Sequence, residues 1–88
     1  MNNKEAKILA ADLGGEISQV DLHGLYPDEA LDKLEQFIFA CFSQKVELGR
    51  VVFGAGTGKL REKVLNYLDK HPQIEEMVDR STSCLVLF

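Results

Sequence analysis

Two short stretches of this 88-residue chain contain residue types that acid–base and phosphate chemistry use. The first is Asp21-Leu22-His23, at the end of an apolar strand pattern, where the alternation of a strand places Asp21 and His23 on one face. An imidazole with a pKa of about 6.5 takes or gives a proton at neutral pH, and a neighbouring carboxylate can orient it or hold a divalent cation such as Mg²⁺ or Mn²⁺. The same two side chains can also close a turn by bonding each other, so both interpretations remain open.

The second stretch is the glycine-rich segment Gly54-Ala55-Gly56-Thr57-Gly58, which lies between a strand pattern and a helix pattern. Its glycines allow positive φ angles and a close approach of a ligand to the backbone. The N-terminus of the next helix favours an anion such as a phosphate, although a tight connection without a ligand fits the pattern equally well. The residues predicted to contact a phosphate are Gly54, Gly56, Thr57, Gly58, Lys59, Arg61 and Lys63.

Two familiar nucleotide-binding loops do not fit this segment. The nucleoside-triphosphate loop needs a glycine where this chain has Phe53, and a serine or threonine where it has Leu60. The dinucleotide fingerprint needs a third glycine at the position of Lys59. ATP and NAD are therefore disfavoured as ligands, and a phosphate that belongs to a polymer remains open.

Length and composition predict one globular domain of a reducing compartment. The chain is 45% hydrophobic and 27% charged, with no apolar run long enough to span a bilayer and no signal-peptide pattern at its start. Cys41 and Cys84 lie far apart in apolar surroundings and are predicted to be buried free thiols, neither a disulfide nor a metal site. We therefore expect a cytoplasmic protein without a membrane partner.

The overall charge does not suggest general nucleic-acid coating. The net charge is −4, whereas proteins that coat nucleic acid are usually basic. The local charge is different, because Lys59, Arg61 and Lys63 cluster beside the glycine-rich segment. The field at the site, and not the sum over the chain, decides whether a phosphate binds there.

Hydrophobic periodicity predicts the elements that position both stretches. The predicted elements are a short helix or loose arm over residues 1–15, strands over 17–22, 50–53, 74–78 and 83–88, and helices from 27 to about 43–45 and from 59 to about 70. Gly49 is assigned to the turn before the second strand, and the helix stripe that includes Phe37 and Phe42 is assigned to the core. His71 is interpreted as a structural residue at a helix end. A strand–helix–strand unit implies a parallel pair, and the last two strands must be antiparallel neighbours.

The order of these motifs resembles the Smr domain, the small MutS-related domain found at the end of some MutS-type proteins and as a free-standing protein. The resemblance runs from about Ile17 to Phe88 and rests on the Asp-Leu-His-Gly strand end, the glycine-rich segment through Arg61 and the later His71-Pro72. It implies an α/β two-layer sandwich with a mixed four-stranded βαβαββ sheet and helices on one face, similar to the C-terminal domain of translation initiation factor three. Residues 16–88 would form this domain and residues 1–15 an arm or short helix.

The resemblance also implies nucleic-acid binding, with endonuclease activity on DNA or RNA in several family members. Asp21 and His23 match the family motif tied to cleavage. The family motif tied to substrate binding is matched by Gly54, Gly56, Thr57 and Gly58. The family commonly has histidine at the position of Phe53 and lysine at the position of Ala55. The expected partner is DNA or RNA, free or within a ribosome or a repair complex.

Three functions follow from these residues as hypotheses. In the first, His23 acts as a general base in phosphodiester cleavage, with Asp21 orienting it or holding a divalent cation; with RNA the 2′-hydroxyl serves as nucleophile and no cofactor is required. In the second, the same loop binds a nucleic-acid backbone without cleaving it. In the third, the domain binds a protein through the sheet face that a two-layer fold leaves uncovered.

Overall fold

In the part of the chain that the structure describes, seven regular elements form in the order that the sequence predicts. The computed structural model describes residues 2–55 and 58–88. The elements are α1 (Asn3–Asp12), β1 (Ser18–Asp21), α2 (Pro27–Ser43), β2 (Leu48–Val52), α3 (Lys59–Asp69), β3 (Glu76–Asp79) and β4 (Ser83–Leu87). The helix bounds agree closely with the predicted ones, whereas β2 begins two residues earlier than expected and β3 two residues later.

The four strands make one mixed sheet in the order β1-β2-β4-β3. β1 and β2 are parallel, with Val20 opposite Val51, and α2 makes the crossover between them. β4 is antiparallel to both of its neighbours. This arrangement confirms the predicted βαβαββ fold.

α2 and α3 cover one face of the sheet and enclose the main core. Residues of both helices and of β1, β2 and β4 are buried together there: Val20, Leu22, Ala30, Leu34, Ile38, Val51, Phe53, Val64, Leu68, Cys84 and Val86. The predicted helix stripe was wrong at its end, because Phe42 is 49% exposed. The buried line of α2 runs through Ile38 and Cys41, and a residue one step beyond Cys41 is turned about 100° away from the sheet.

Gly49 lies inside β2 and not in a turn, so the predicted assignment was wrong. A side chain there would begin 3.0 Å from Cζ of Phe37 and 3.3 Å from Cε2 of Phe88. The two rings pack edge to face with centroids 6.5 Å apart. Glycine is needed at this position because α2 and the end of the chain approach the sheet over it.

α1 is a docked helix on the opposite face of the sheet, which the third hypothesis expected to be uncovered. Ala11 is buried against Leu48, Leu85 and Leu87. Nη2 of Arg80 donates to Oδ2 of Asp12 at 2.7 Å, and several exposed ion pairs along α1 add to this contact. The two helices of the βαβαββ unit therefore lie on one face, as predicted, and α1 adds a layer on the other.

Both cysteines are buried and free, as predicted. Burial raises the pKa of the Cys84 thiol to about 11, so this thiol is protonated and unreactive at neutral pH. In the described part of the chain, no helix combines the length and the apolar character needed to cross a membrane.

Candidate functional site

Asp21 and His23 are held together at the end of β1 by the residue between them. Leu22 is fully buried, and its N–H donates to the carbonyl oxygen of Val52 at 2.7 Å. The alternation of the backbone therefore turns Asp21 and His23 outwards, where their side chains are 47% and 69% exposed. The sequence predicted this pairing.

The carboxylate of Asp21 fixes the tautomer of His23. Oδ1 of Asp21 lies 2.6 Å from Nδ1 of His23 and also accepts the backbone N–H of His23 at 3.0 Å. A carboxylate only accepts, so the proton lies on Nδ1 and the lone pair of the neutral ring is on Nε2. These hydrogen bonds, the side-chain one first, hold the pKa of Asp21 below its ordinary value. Asp21 is therefore ionised at neutral pH.

His23 opens into a cavity of about 580 Å³ between β1, β2 and the start of α3. Four predicted site residues line it: His23, Gly54, Gly58 and Arg61. The other described lining residues are Gly24, Leu25, Tyr26, Phe53, Ala55, Leu60 and Ser81. None of these eleven residues is acidic, so an anion meets no carboxylate on the described wall.

The start of the glycine-rich segment is tied to the turn between β3 and β4. The N–H groups of Phe53 and Gly54 both donate to the carbonyl oxygen of Thr82, at 3.1 and 3.0 Å. Gly54 has a φ of +81°, and a Cβ atom there would lie 3.1 Å from Cβ of His23. Its N–H group is already used, so the contribution of Gly54 to the site is the space that lets His23 pack beside it. Gly56 and Thr57 lie outside the described residues.

Gly58 forms the N-cap of α3 with a φ of +93°. It has no side chain to cover the first turn, whose N–H groups have no carbonyl partner within the helix. Gly58 lines the same cavity as His23, so the positive end of the α3 dipole is directed there.

The predicted cations are not all brought to this cavity. Arg61 lines it, pairs with Asp79 and has its guanidinium carbon 5.9 Å from the centre of the Phe53 ring. Lys59 and Lys63 instead line a separate depression together with Pro27, Glu62 and Asn66. Successive side chains of a helix point in different directions, and those of Lys59 and Lys63 project on the far side of α3 from Arg61.

Two residues near the site were not predicted. Nζ of Lys33 donates to the carbonyl oxygen of Asp21 at 3.1 Å, and Tyr26 lines the cavity with 77% of its surface exposed. The packing of α2 beside β1 brings Lys33 to the site, whereas Tyr26 follows His23 by only three residues.

His71 makes a structural contact between α3 and α2, in keeping with its interpretation from sequence. Nε2 of His71 lies 3.0 Å from Oε1 of Glu35, and Nδ1 accepts the N–H of Gln73 at 3.1 Å. The hydroxyl of Tyr67 donates to the same carboxylate. Burial, then the Glu35 charge, raises the pKa of Tyr67 to about 12.

The described residues do not form a protein-held metal centre. Within residues 2–55 and 58–88, no three histidine, cysteine, aspartate or glutamate side chains converge as a ligand set. Asp21 and His23 supply two donors at most, and Oδ1 of Asp21 already accepts two hydrogen bonds. Mg²⁺ is usually held in proteins by one or two carboxylates together with waters and substrate phosphates, so Asp21 would supply a single ligand to such an ion.

The fold and the site together define a small βαβαββ domain in which an Asp-Leu-His strand end faces a glycine-rich helix start. A family model described as the Smr domain matches residues 20–83. The chain belongs to the Smr domain family. The solved Smr domain of Thermus thermophilus MutS2 has the same fold, with a TM-score of 0.78 at 26% identity over 81% of this chain and 96% of that chain.

Curated relatives share the domain within longer proteins. Endonuclease MutS2 of Streptococcus pyogenes is 30% identical over 76 residues, which cover 85% of this chain and 10% of that protein. Ribosome rescue factor SmrB of Haemophilus influenzae is 29% identical over 58 residues, which cover 66% of this chain and 35% of that protein. The chain thus spans between a tenth and about a third of the length of these relatives.

Proposed function

We propose that residues 16–88 form a nucleic-acid endonuclease domain in which His23 is the catalytic acid–base group. The observation that carries the proposal is the hydrogen bond of 2.6 Å between Asp21 and His23, beside a cavity whose described lining residues include no acid. Membership of the Smr domain family supports it, since relatives in this family are named endonuclease and ribosome rescue factor. The proposed substrate is accordingly DNA or RNA, free or within a ribosome.

The proton transfers follow from the tautomer of His23. With RNA, the lone pair on Nε2 accepts the proton of the 2′-hydroxyl while the 2′-oxygen attacks the adjacent phosphorus. The bond to the 5′-oxygen breaks, and that oxygen takes a proton from the imidazolium or from water. With DNA, Nε2 accepts the proton of a water that attacks the phosphorus, the bond from phosphorus to one ester oxygen breaks, and that oxygen takes a proton from the imidazolium or from water. Asp21 stabilises the charged ring without taking the proton.

The cavity supplies charge stabilisation for the phosphate. Arg61 and the N-terminus of α3 line the same cavity as His23, and negative charge grows on the phosphate oxygens as the bond breaks. Lys33, which donates to the carbonyl oxygen of Asp21, adds a second positive charge near the Asp21–His23 pair. Lys59 and Lys63 are proposed to contact the nucleic acid at a neighbouring phosphate, because their depression lies on the other flank of α3.

A specific observation favours a second candidate, binding without cleavage. Phe53 stands where the family commonly has histidine, and it is 3% exposed, so its ring packs in the core and against Arg61. In this alternative the cavity holds a backbone phosphate, and the Asp21–His23 pair only stabilises the conformation of the loop. Binding of this kind weakens steeply with salt because phosphate contacts release counterions.

The test is cleavage of labelled single-stranded RNA, duplex DNA and branched DNA, with and without Mg²⁺ or Mn²⁺. Wild type is compared with His23→Ala and with Asp69→Asn, a charge change at the exposed far end of α3. Cleavage that is lost in His23→Ala and kept in Asp69→Asn supports the endonuclease. Equal cleavage by His23→Ala and wild type rejects it, and salt-sensitive binding with no cleavage by any protein supports the second candidate.

A further inference from the structure

Tyr26 is an exposed aromatic side chain on a fixed backbone at the mouth of the His23 cavity. It is the N-cap of α2, and its carbonyl oxygen accepts the N–H of Ala30 at 2.9 Å. Pro27 follows it and restricts the backbone at the helix start. The side chain is nevertheless 77% exposed. The helix start is therefore anchored by its backbone, while the ring is left open to solvent.

The wall beside Tyr26 is apolar. Leu25, Phe53 and Leu60 line the cavity together with Tyr26, whereas the polar side chains of the lining are those of His23, Arg61 and Ser81. A phosphate alone needs only the polar part. A ligand that matches the whole cavity carries an anion and, next to it, a flat apolar group. A nucleotide has both, since its phosphate is joined through the sugar to a base with two π-faces.

We infer that Tyr26 is a stacking platform for an unpaired nucleobase next to the phosphate that His23 faces. This inference rests on the proposed function and names its substrate as a nucleotide outside a duplex. In a duplex both faces of a base are covered by neighbouring pairs, so only an unpaired base can stack on Tyr26. Stacking depends on the π-face and not on base identity, so the site tolerates any sequence.

A single-tryptophan variant reports the contact directly. The chain has no tryptophan, so Tyr26→Trp places a unique indole at the cavity. Short single-stranded RNA and DNA oligonucleotides are expected to quench its fluorescence. A duplex of the same sequence and a strand with abasic sites are expected not to. The RNA and DNA arms show which sugar the site prefers.

Affinity measured by anisotropy of the labelled strands gives the second readout. Tyr26→Ala is expected to weaken single-strand binding about tenfold, the order expected for one lost base stack. Phe39→Ala is the matched control, because Phe39 is also an exposed aromatic of α2, at 67%, and does not line this cavity. It is expected to bind like wild type.

Each other outcome overturns the inference. Three results would show that no base stacks on Tyr26. Tyr26→Ala binds the single strand with wild-type affinity, Phe39→Ala loses as much affinity as Tyr26→Ala, or duplex or abasic strands quench the indole fluorescence of Tyr26→Trp. The proposed endonuclease function is tested separately from the stacking role of Tyr26. Cleavage that survives in His23→Ala rejects the catalytic role even where Tyr26 binds a base, and His23-dependent cleavage with Tyr26-independent binding rejects only the stacking role.

Discussion

One oxygen of Asp21 accepts two hydrogen bonds from His23, from the backbone N–H at 3.0 Å and from Nδ1 at 2.6 Å. The carboxylate therefore sets both the position of the backbone and the tautomer of the ring. Asp21→Asn replaces it with an amide that can face Nδ1 with its NH₂ group and shift the ring proton to Nε2. We expect cleavage to fall by about a hundredfold or more, within the range that acid–base catalysis contributes. Single-turnover rates measure this, and an unchanged rate would remove Asp21 from the mechanism.

The spacing between Gly54 and His23 makes a second prediction. Gly54→Ala combines a positive φ with a Cβ atom 3.1 Å from that of His23, whereas Gly14→Ala has a φ of +92° and open space. Both variants should lose about 1–2 kcal/mol of unfolding free energy from backbone strain. Only Gly54→Ala should also lose nucleic-acid cleavage, because the imidazole is displaced. Denaturant unfolding and cleavage rates are measured for both variants. An equal loss of cleavage in Gly54→Ala and Gly14→Ala would contradict the prediction.

Asp79 limits the charge that Arg61 offers to a phosphate. Asp79→Asn removes the paired carboxylate and should tighten binding of a single-stranded oligonucleotide at low salt. Arg61→Gln should weaken binding and reduce the slope of log K against log salt by about one. Lys45→Gln, a charge change on an exposed residue after α2, is the control. A slope that Arg61→Gln leaves unchanged would exclude a phosphate contact by Arg61.

The docking of α1 should depend on pH through Asp12. Hydrogen bonds from Arg80 hold the pKa of Asp12 below its ordinary value of 3.8. Because the folded pKa is lowered, this stabilisation is fully present above about 3.8 and is lost as pH falls through the folded pKa. The melting temperatures of wild type and Asp12→Asn should therefore differ at neutral pH and converge in acid. Asp69→Asn serves as the charge control. A difference in melting temperature that persists in acid would show that the Asp12–Arg80 pair does not stabilise the docking of α1.

The contact between Tyr67 and Glu35 has a spectroscopic consequence. The chain has two tyrosines, so Tyr67 is the only one left in Tyr26→Phe. Its ultraviolet absorbance should titrate with a midpoint of about 12, because burial and the Glu35 carboxylate both disfavour the phenolate. Glu35→Gln should lower that midpoint towards the ordinary value. A midpoint near 10 in Tyr26→Phe itself would contradict the described contact.

The order of the elements and the Asp21–His23 pair were accessible from the sequence because both depend on local spacing. A period of about 3.6 identifies α2 and α3, and a separation of two residues in a strand is enough to place two side chains together. The family motifs then connected the local patterns into one fold. The approach of the Asp21–His23 pair to Arg61 followed from the parallel pairing of β1 and β2.

The remaining features depend on contacts between distant segments. Asp12 and Arg80 are 68 positions apart, so no local pattern indicates that α1 docks on the sheet. Gly49 was misassigned because a glycine needed for close packing has the same sequence signal as one needed for a turn. Lys33 carries no motif and reaches Asp21 only through the packing of α2 beside β1, while Tyr26 lies three residues after His23 but carries no motif either.

The turn between β3 and β4 has a consequence for protein engineering. Exposed hairpin turns are usually chosen for epitope tags and loop grafts, since inserted residues there leave the strands intact. Here the carbonyl oxygen of Thr82 holds the N–H groups of both Phe53 and Gly54, and Gly54 packs against His23. A graft at this turn would therefore displace Gly54 and, through it, the imidazole of His23. The exposed turn at Gly14, where an added Cβ atom would meet no other atom within 4 Å, is the better place to attach a label.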